Sequence, residues 1–241
     1  MGRGGGDVAS PDDLPRRVKA LAAALERMFG RPEIRPRGDP LDVLIETILS
    51  QSTNDRNRER AYRSLRERFP RWEDALAAGP KPIRGAIRSG GLSRQKSVRI
   101  HALLERLAAE HGKLSLSEIC AWPDERVFEW LGAFEGVGSK TIAVVLMFAC
   151  GRDICPVDTH VHRIVRRLGL VRPNAGAEEA FSALRPHIPP GEGPSLHLNL
   201  LRFGRTRCTA RSPGCEGCPF RAECRYERET GIIRPGHDGG N

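Results

Sequence analysis

Residues 134–150 read Phe-Glu-Gly-Val-Gly-Ser-Lys-Thr-Ile-Ala-Val-Val-Leu-Met-Phe-Ala-Cys, two glycines followed at once by an apolar run. The run from Ser139 to Cys150 is apolar nearly all round, the pattern of a helix buried at the centre of a core. Gly136 and Gly138 allow a tight hairpin before it, in which the backbone N–H groups of Gly136, Val137, Gly138 and Ser139 stand beside the positive end of a helix. Such a nest suits a phosphate oxygen and would position a nucleic acid without reading its sequence. The same glycine spacing also serves as a plain helix start. Lys140 falls in the first helical turn, where positive potential favours the neutral, nucleophilic amine. It could equally bind a phosphate.

Outward from this segment the apolar residues recur at helical spacing, and no alternating run is long enough for a sheet. Helices are predicted over 14–29, 40–51, 55–68, 94–111, 124–132, 139–150, 159–168, 176–187 and 193–204, joined by short turns. The fold class is therefore all-α. Residues 1–13 and 229–241 are rich in Gly, Pro and Asp and read as mobile tails.

With 241 residues, one or two domains are expected. The formal charge of +9 and a pI near 9.6 favour an acidic polymer as partner, nucleic acid before membrane. Of the 39 basic residues only five are lysines, so a lysine inside a motif stands out. No stretch approaches the ~20 apolar residues that span a bilayer, and the opening MGRGGGDVAS lacks the apolar core of a signal peptide. An intracellular protein is expected, cytoplasmic and near the nucleoid in a prokaryote.

Four of the seven cysteines form the run Cys208-TARSPG-Cys215-EG-Cys218-PFRAE-Cys224. These 17 residues are too few for a packed core without a metal centre. One close pair flanked by two single cysteines suits an iron–sulfur cubane; a four-thiolate zinc site is the alternative. Cys120, Cys150 and Cys155 read as ordinary buried thiols. His160 and His162, two apart on a helix, diverge and are no metal pair.

The cysteine spacing, the hairpin FEGVGSKT and the following Pro156-Val-Asp158-Thr-His160 together resemble the endonuclease III family of DNA glycosylases over roughly residues 14 to 228. The resemblance implies an all-α, two-domain helix-hairpin-helix fold with a DNA-binding cleft. A six-helix barrel would span 39–153, and a cluster domain would combine 14–38 with 154–228. It also implies a [4Fe-4S] cluster on Cys208, Cys215, Cys218 and Cys224, and Arg211, with Arg221, facing phosphate from the cluster loop.

By position Lys140 matches the family's catalytic lysine and Asp158 its fixed aspartate, which could also cap the helix it precedes. The amine would displace the base at the sugar C1′ of an extruded nucleotide, and the carboxylate would stabilise the cationic sugar. Leu92 and either Gln51 or Ser52 would fill the gap left in the duplex. Asp55 matches an acidic position of the same loop or caps helix 55–68, while His197 and Arg202 could face DNA or the protein interior. Two departures are Glu135, where Leu-Pro is usual before G-V-G, and Gly132, where some members carry Glu.

The implied function is base excision repair. A monomer would release a damaged base, oxidised pyrimidine above others, from double-stranded DNA and cut the strand at the abasic site by β-elimination. The rivals are a mismatch uracil or thymine glycosylase and a catalytically weak DNA-binding sensor of lesions or redox state. An adenine glycosylase lacks the lysine found here at 140.

Overall fold

The computed structural model describes residues 9, 10, 12–34, 36 and 38–226. The expected tails at 1–13 and 229–241 lie outside these residues, except for positions 9, 10, 12 and 13. Among the described residues every regular element is helical, as the apolar period requires. No helix there is long and apolar enough to cross a membrane. The chain forms two compact units, one from Ile34 to Arg152 and one made of the chain up to Glu33 together with Asp153 onward.

The Ile34–Arg152 unit holds helices α2 (Pro40–Ser50), α3 (Asp55–Arg68), α4 (Trp72–Ala78), α5 (Pro80–Ala86), α6 (Ser93–His111), α7 (Asp124–Gly132) and α8 (Ser139–Ala149). Its centre is α8 against α2. Seven consecutive residues of α8, from Thr141 to Met147, are buried, which is why this helix shows no polar face. α2 starts with Pro40 in its first turn and is capped by Asp39, whose carboxylate accepts from Leu41 N at 2.8 Å and, across the unit, from Leu116 N at 3.1 Å. The two helices α4 and α5 go beyond the sequence expectation. Each has only seven residues, and Gly79 alone separates them, so neither shows enough turns for an apolar period.

The other unit contains α1 (Leu14–Phe29), α9 (Thr159–Arg167), α10 (Ala177–Leu184) and α11 (Gly193–Thr206). α11 is the hub, packing on both α1 and α9. Leu25, Val161, Ile164 and Leu200 close its core at no more than 1% exposure. The coil carrying the four clustered cysteines comes after α11.

Two of the three remaining cysteines depart from expectation. Cys120 and Cys150 are not separate buried thiols: they form a disulfide, with Cα atoms 5.0 Å apart and both residues half-exposed. The C-terminal end of α8 meets the 3-10 turn Ser117–Ala121 there, a proximity that spacing in sequence does not reveal. Arg152 fastens the same corner, donating to the carbonyls of Cys120 at 2.9 Å and Trp122 at 2.7 Å. Cys155 is a buried thiol as expected, and burial pushes its pKa far upward, so it stays protonated and inert.

Candidate DNA-processing site

The hairpin forms as its glycines dictate. Gly136 has φ +80°, and Val137 N closes a turn onto Phe134 O at 3.1 Å. Gly138 is the N-cap of α8 and has no side chain with which to cap the first turn. Its carbonyl accepts from Thr141 N and Ile142 N at 2.9 and 3.1 Å, which starts the helix. Lys140 is the second residue of that helix and half-buried, while Val137 is buried and anchors the hairpin in the core.

Two neighbours brace the hairpin within the same unit. Gln51 Nε2 donates to Gly136 O at 2.9 Å, so this side chain is engaged by the hairpin. Arg99, from α6, lies so close that a Cβ on Gly136 would stand 2.7 Å from its Cζ. The departure at Glu135 explains this placement: its Oε1 accepts from Arg99 Nη2 at 3.0 Å. Gly132, the other departure, is exposed at the end of α7.

The two candidate gap-filling loops adjoin one another. Ser52 and Leu92 are the only non-glycine residues with positive φ among the described residues, at +52° and +46°. Ser52 is exposed at its loop tip, and the Leu92 side chain is 55% exposed. An open surface recess lies beside Leu92, lined also by Arg84, Arg94 and Arg99. The helix after the first loop is capped by Asn54, which accepts from Asn57 N at 2.9 Å; Asp55, offered as the cap, is instead the first helical residue and pairs with Arg58 at 3.6 Å.

In the other unit, Asp158 caps α9: its Oδ1 accepts from His160 N at 2.9 Å and Val161 N at 2.8 Å. The carboxylate is thereby held in one orientation. His160 and His162 have separate partners, Arg163 and the Ala175 carbonyl. His197 faces inward, buried against Pro156 O at 2.8 Å, whereas Arg202 is exposed and lies over the Phe29 ring.

Cys208, Cys215, Cys218 and Cys224 are not disulfide-bonded, all are half-exposed, and all four line one recess together with Phe203 and Phe220. Arg167 ties the coil to α9, donating to Cys208 Sγ at 3.3 Å and to the carbonyls of Thr209 and Ala210 at 2.7 and 3.0 Å. Among the described residues no group of three or more His, Cys, Asp or Glu side chains is gathered closely enough for a single metal ion. Four thiols around one recess, with apolar walls and arginine donors at the sulfur, fit a larger multi-iron cluster, whose thiolates stand further apart than those of one tetrahedral ion. Arg211 and Arg221 are exposed on this coil.

Among the described residues, whose regular elements are all helical, a glycine hairpin thus opens the buried α8 with Lys140 in its first turn, and Asp158 caps α9. In comparison with known proteins, residues 45–190 match the model described as "HhH-GPD superfamily base excision DNA repair protein", and the chain belongs to that family. It is 32% identical over 217 residues to endonuclease III of Thermotoga maritima, covering 89% of this chain and 95% of the relative. It is 42% identical over 163 residues to a putative DNA glycosylase of Arabidopsis thaliana, matching 68% of this chain but only 55% of that longer protein. Among solved structures, an endonuclease III–DNA covalent intermediate trapped with an estranged adenine matches with TM-score 0.76 and 29% identity, over 89% of this chain and 97% of that one. As an enzyme the chain is thus a base-excision DNA glycosylase of this superfamily.

Proposed function

We propose that the protein releases a damaged base, of the oxidised pyrimidine class, from duplex DNA and cuts the resulting abasic strand through an imine on Lys140. The observation that carries this reading is the position of Lys140, second residue of α8 and directly after the braced glycine hairpin. A similar protein trapped covalently on DNA supports it.

In this reading the hairpin N–H groups hold the backbone, and Ser52 and Leu92 enter the gap left by the extruded nucleotide. Gln51 braces the hairpin instead of filling the stack. Lys140 Nζ attacks C1′ as the glycosidic electron pair leaves with the base. Asp158, oriented by its cap, stabilises the cationic sugar, and the proton of the amine passes to water. The ring-opened imine loses a C2′ proton, the C3′–O bond breaks with phosphate as leaving group, and water releases the lysine. Cys208, Cys215, Cys218 and Cys224 would hold a [4Fe-4S] cluster, which supplies the fold of the coil and presents Arg211 to phosphate.

Borohydride added during reaction with a lesion duplex tests the assignment. A covalent adduct from the wild type and none from Lys140→Gln is expected. Base release without an adduct would point to a monofunctional mismatch glycosylase, and neither product to a silent binder.

A further inference from the structure

Lys96 is among the largest fully buried side chains of the described residues, at 1% exposure, and the reaction assigned to Lys140 and Asp158 does not use it. An ammonium taken out of water persists only where it is hydrogen-bonded, and burial alone depresses its pKa here. Its Nζ donates to Leu49 O at 2.7 Å and to Gly90 O at 2.8 Å. Both acceptors are terminal carbonyls: Leu49 lies in the last turn of α2, and Gly90 ends the 3-10 turn Arg88–Gly90. A cation is the partner that the negative ends of these turns favour.

Each acceptor stands a few residues before one of the candidate gap-filling residues. Leu49 leads through Ser50 and Gln51 to Ser52, and Gly90 leads through Gly91 to Leu92. Ser52 and Leu92 are the two non-glycine residues held at positive φ among the described residues, and a left-handed leucine persists only where its surroundings force it. The loops also touch, since a Cβ on Gly91 would lie 3.8 Å from Ser52 O.

We propose that Lys96 is a positioning residue that joins the two loops into one rigid wedge, so that Ser52 and Leu92 enter the base stack together. The proposal rests on the gap-filling role given to these loops above. A wedge ordered in advance avoids ordering two loops during unstacking, so the lysine matters only where a paired base must be displaced.

Lys96→Met in the full chain, compared with the wild type on two substrates, tests this. Base release from a paired lesion should fall at least tenfold, while cleavage of a pre-formed abasic site in single-stranded DNA stays within twofold. A 2-aminopurine opposite the lesion should lose most of the fluorescence rise it shows with the wild type. Equal loss on both substrates, or none on either, would overturn the role of Lys96. A wild type that processes neither substrate would instead overturn the glycosylase/lyase reading, a result visible before any variant is made. If Lys96→Met does not fold, Gly91→Ala probes the same junction with the ammonium intact. Gly91 has φ +67°, so any side chain there strains the backbone that joins Gly90 to Leu92. The same selective loss is expected, and wild-type rates on both substrates would overturn the proposal.

Discussion

Arg99 and Glu135 form an ion pair of 3.0 Å across the hairpin, with the arginine side chain 17% exposed and the glutamate 77% exposed. The acidic departure from the family pattern thus holds a cation against Gly136 while presenting its own charge to solvent beside the segment assigned to phosphate. Exposed pairs of this kind contribute about 0–1 kcal/mol to stability. The effect of Glu135 is expected on DNA.

Glu135→Gln should leave the melting temperature nearly unchanged and tighten binding to undamaged duplex a few-fold at low salt, because one repulsive charge is removed and Arg99 is released toward phosphate. Fluorescence anisotropy across a salt series measures this. Unchanged or weaker binding would show that the hairpin is not where the backbone docks.

Gly136→Ala should weaken duplex binding and destabilise the protein by roughly 1–3 kcal/mol, since it places a side chain at φ +80° and a Cβ 2.7 Å from Arg99 Cζ. Denaturant unfolding reads the stability. Adding Arg99→Ala relieves the clash but not the backbone strain, so the double variant should recover only part of it.

Asp158 has two functions that substitution separates. Asn retains the oxygen that caps α9, so Asp158→Asn should unfold within ~0.5 kcal/mol of the wild type, whereas Asp158→Ala should lose about 1 kcal/mol with the cap. Both should slow base release strongly and retain some cleavage at pre-formed abasic sites, where no glycosidic bond remains. Normal base release by Asp158→Asn would remove the carboxylate from the chemistry.

The thiol recess predicts a brown protein with iron and sulfide in about equal amounts. Cys215→Ser should reduce the visible absorbance and the yield of folded protein, because cluster binding and local folding are coupled. Stoichiometric zinc in anaerobically isolated protein would contradict the cluster assignment.

Replacing Cys120 and Cys150 together with alanine should cost about 3–4 kcal/mol, the loop-closure term for a bridge spanning 30 residues. Thermal unfolding measures it. A melting temperature that does not move would mean the loop is already restrained without the bond, with Arg152 as the restraint to test next.

Where an element declares itself through its own residues, the sequence reveals it. α1 has the predicted limits because it has a long apolar period with clear ends, and the hairpin is legible because glycine spacing is a local property. In the sequence Lys96 is one of five lysines and nothing more: its partners are backbone carbonyls, which leave no trace in side-chain patterns. The bond between Cys120 and Cys150 is hidden for a related reason, since two cysteines 30 apart say nothing about the distance between their Cα atoms. The bond from Gln51 to the Gly136 carbonyl is hidden in the same way, because its acceptor is a backbone oxygen 85 residues further on. Asn54 rather than Asp55 capping α3 shows how a one-residue shift between two good caps escapes a reading by residue type.

The Cys120–Cys150 bond also changes the covalent topology of the chain. α7, the hairpin and α8 with Lys140 lie inside a closed ring of polypeptide. A protease that nicks the backbone once inside this ring opens it without releasing a fragment, and the cut protein keeps its full length of chain until sulfur is reduced. The segment that carries Lys140 is therefore a stretch that no single cut within it can detach from the rest of the molecule.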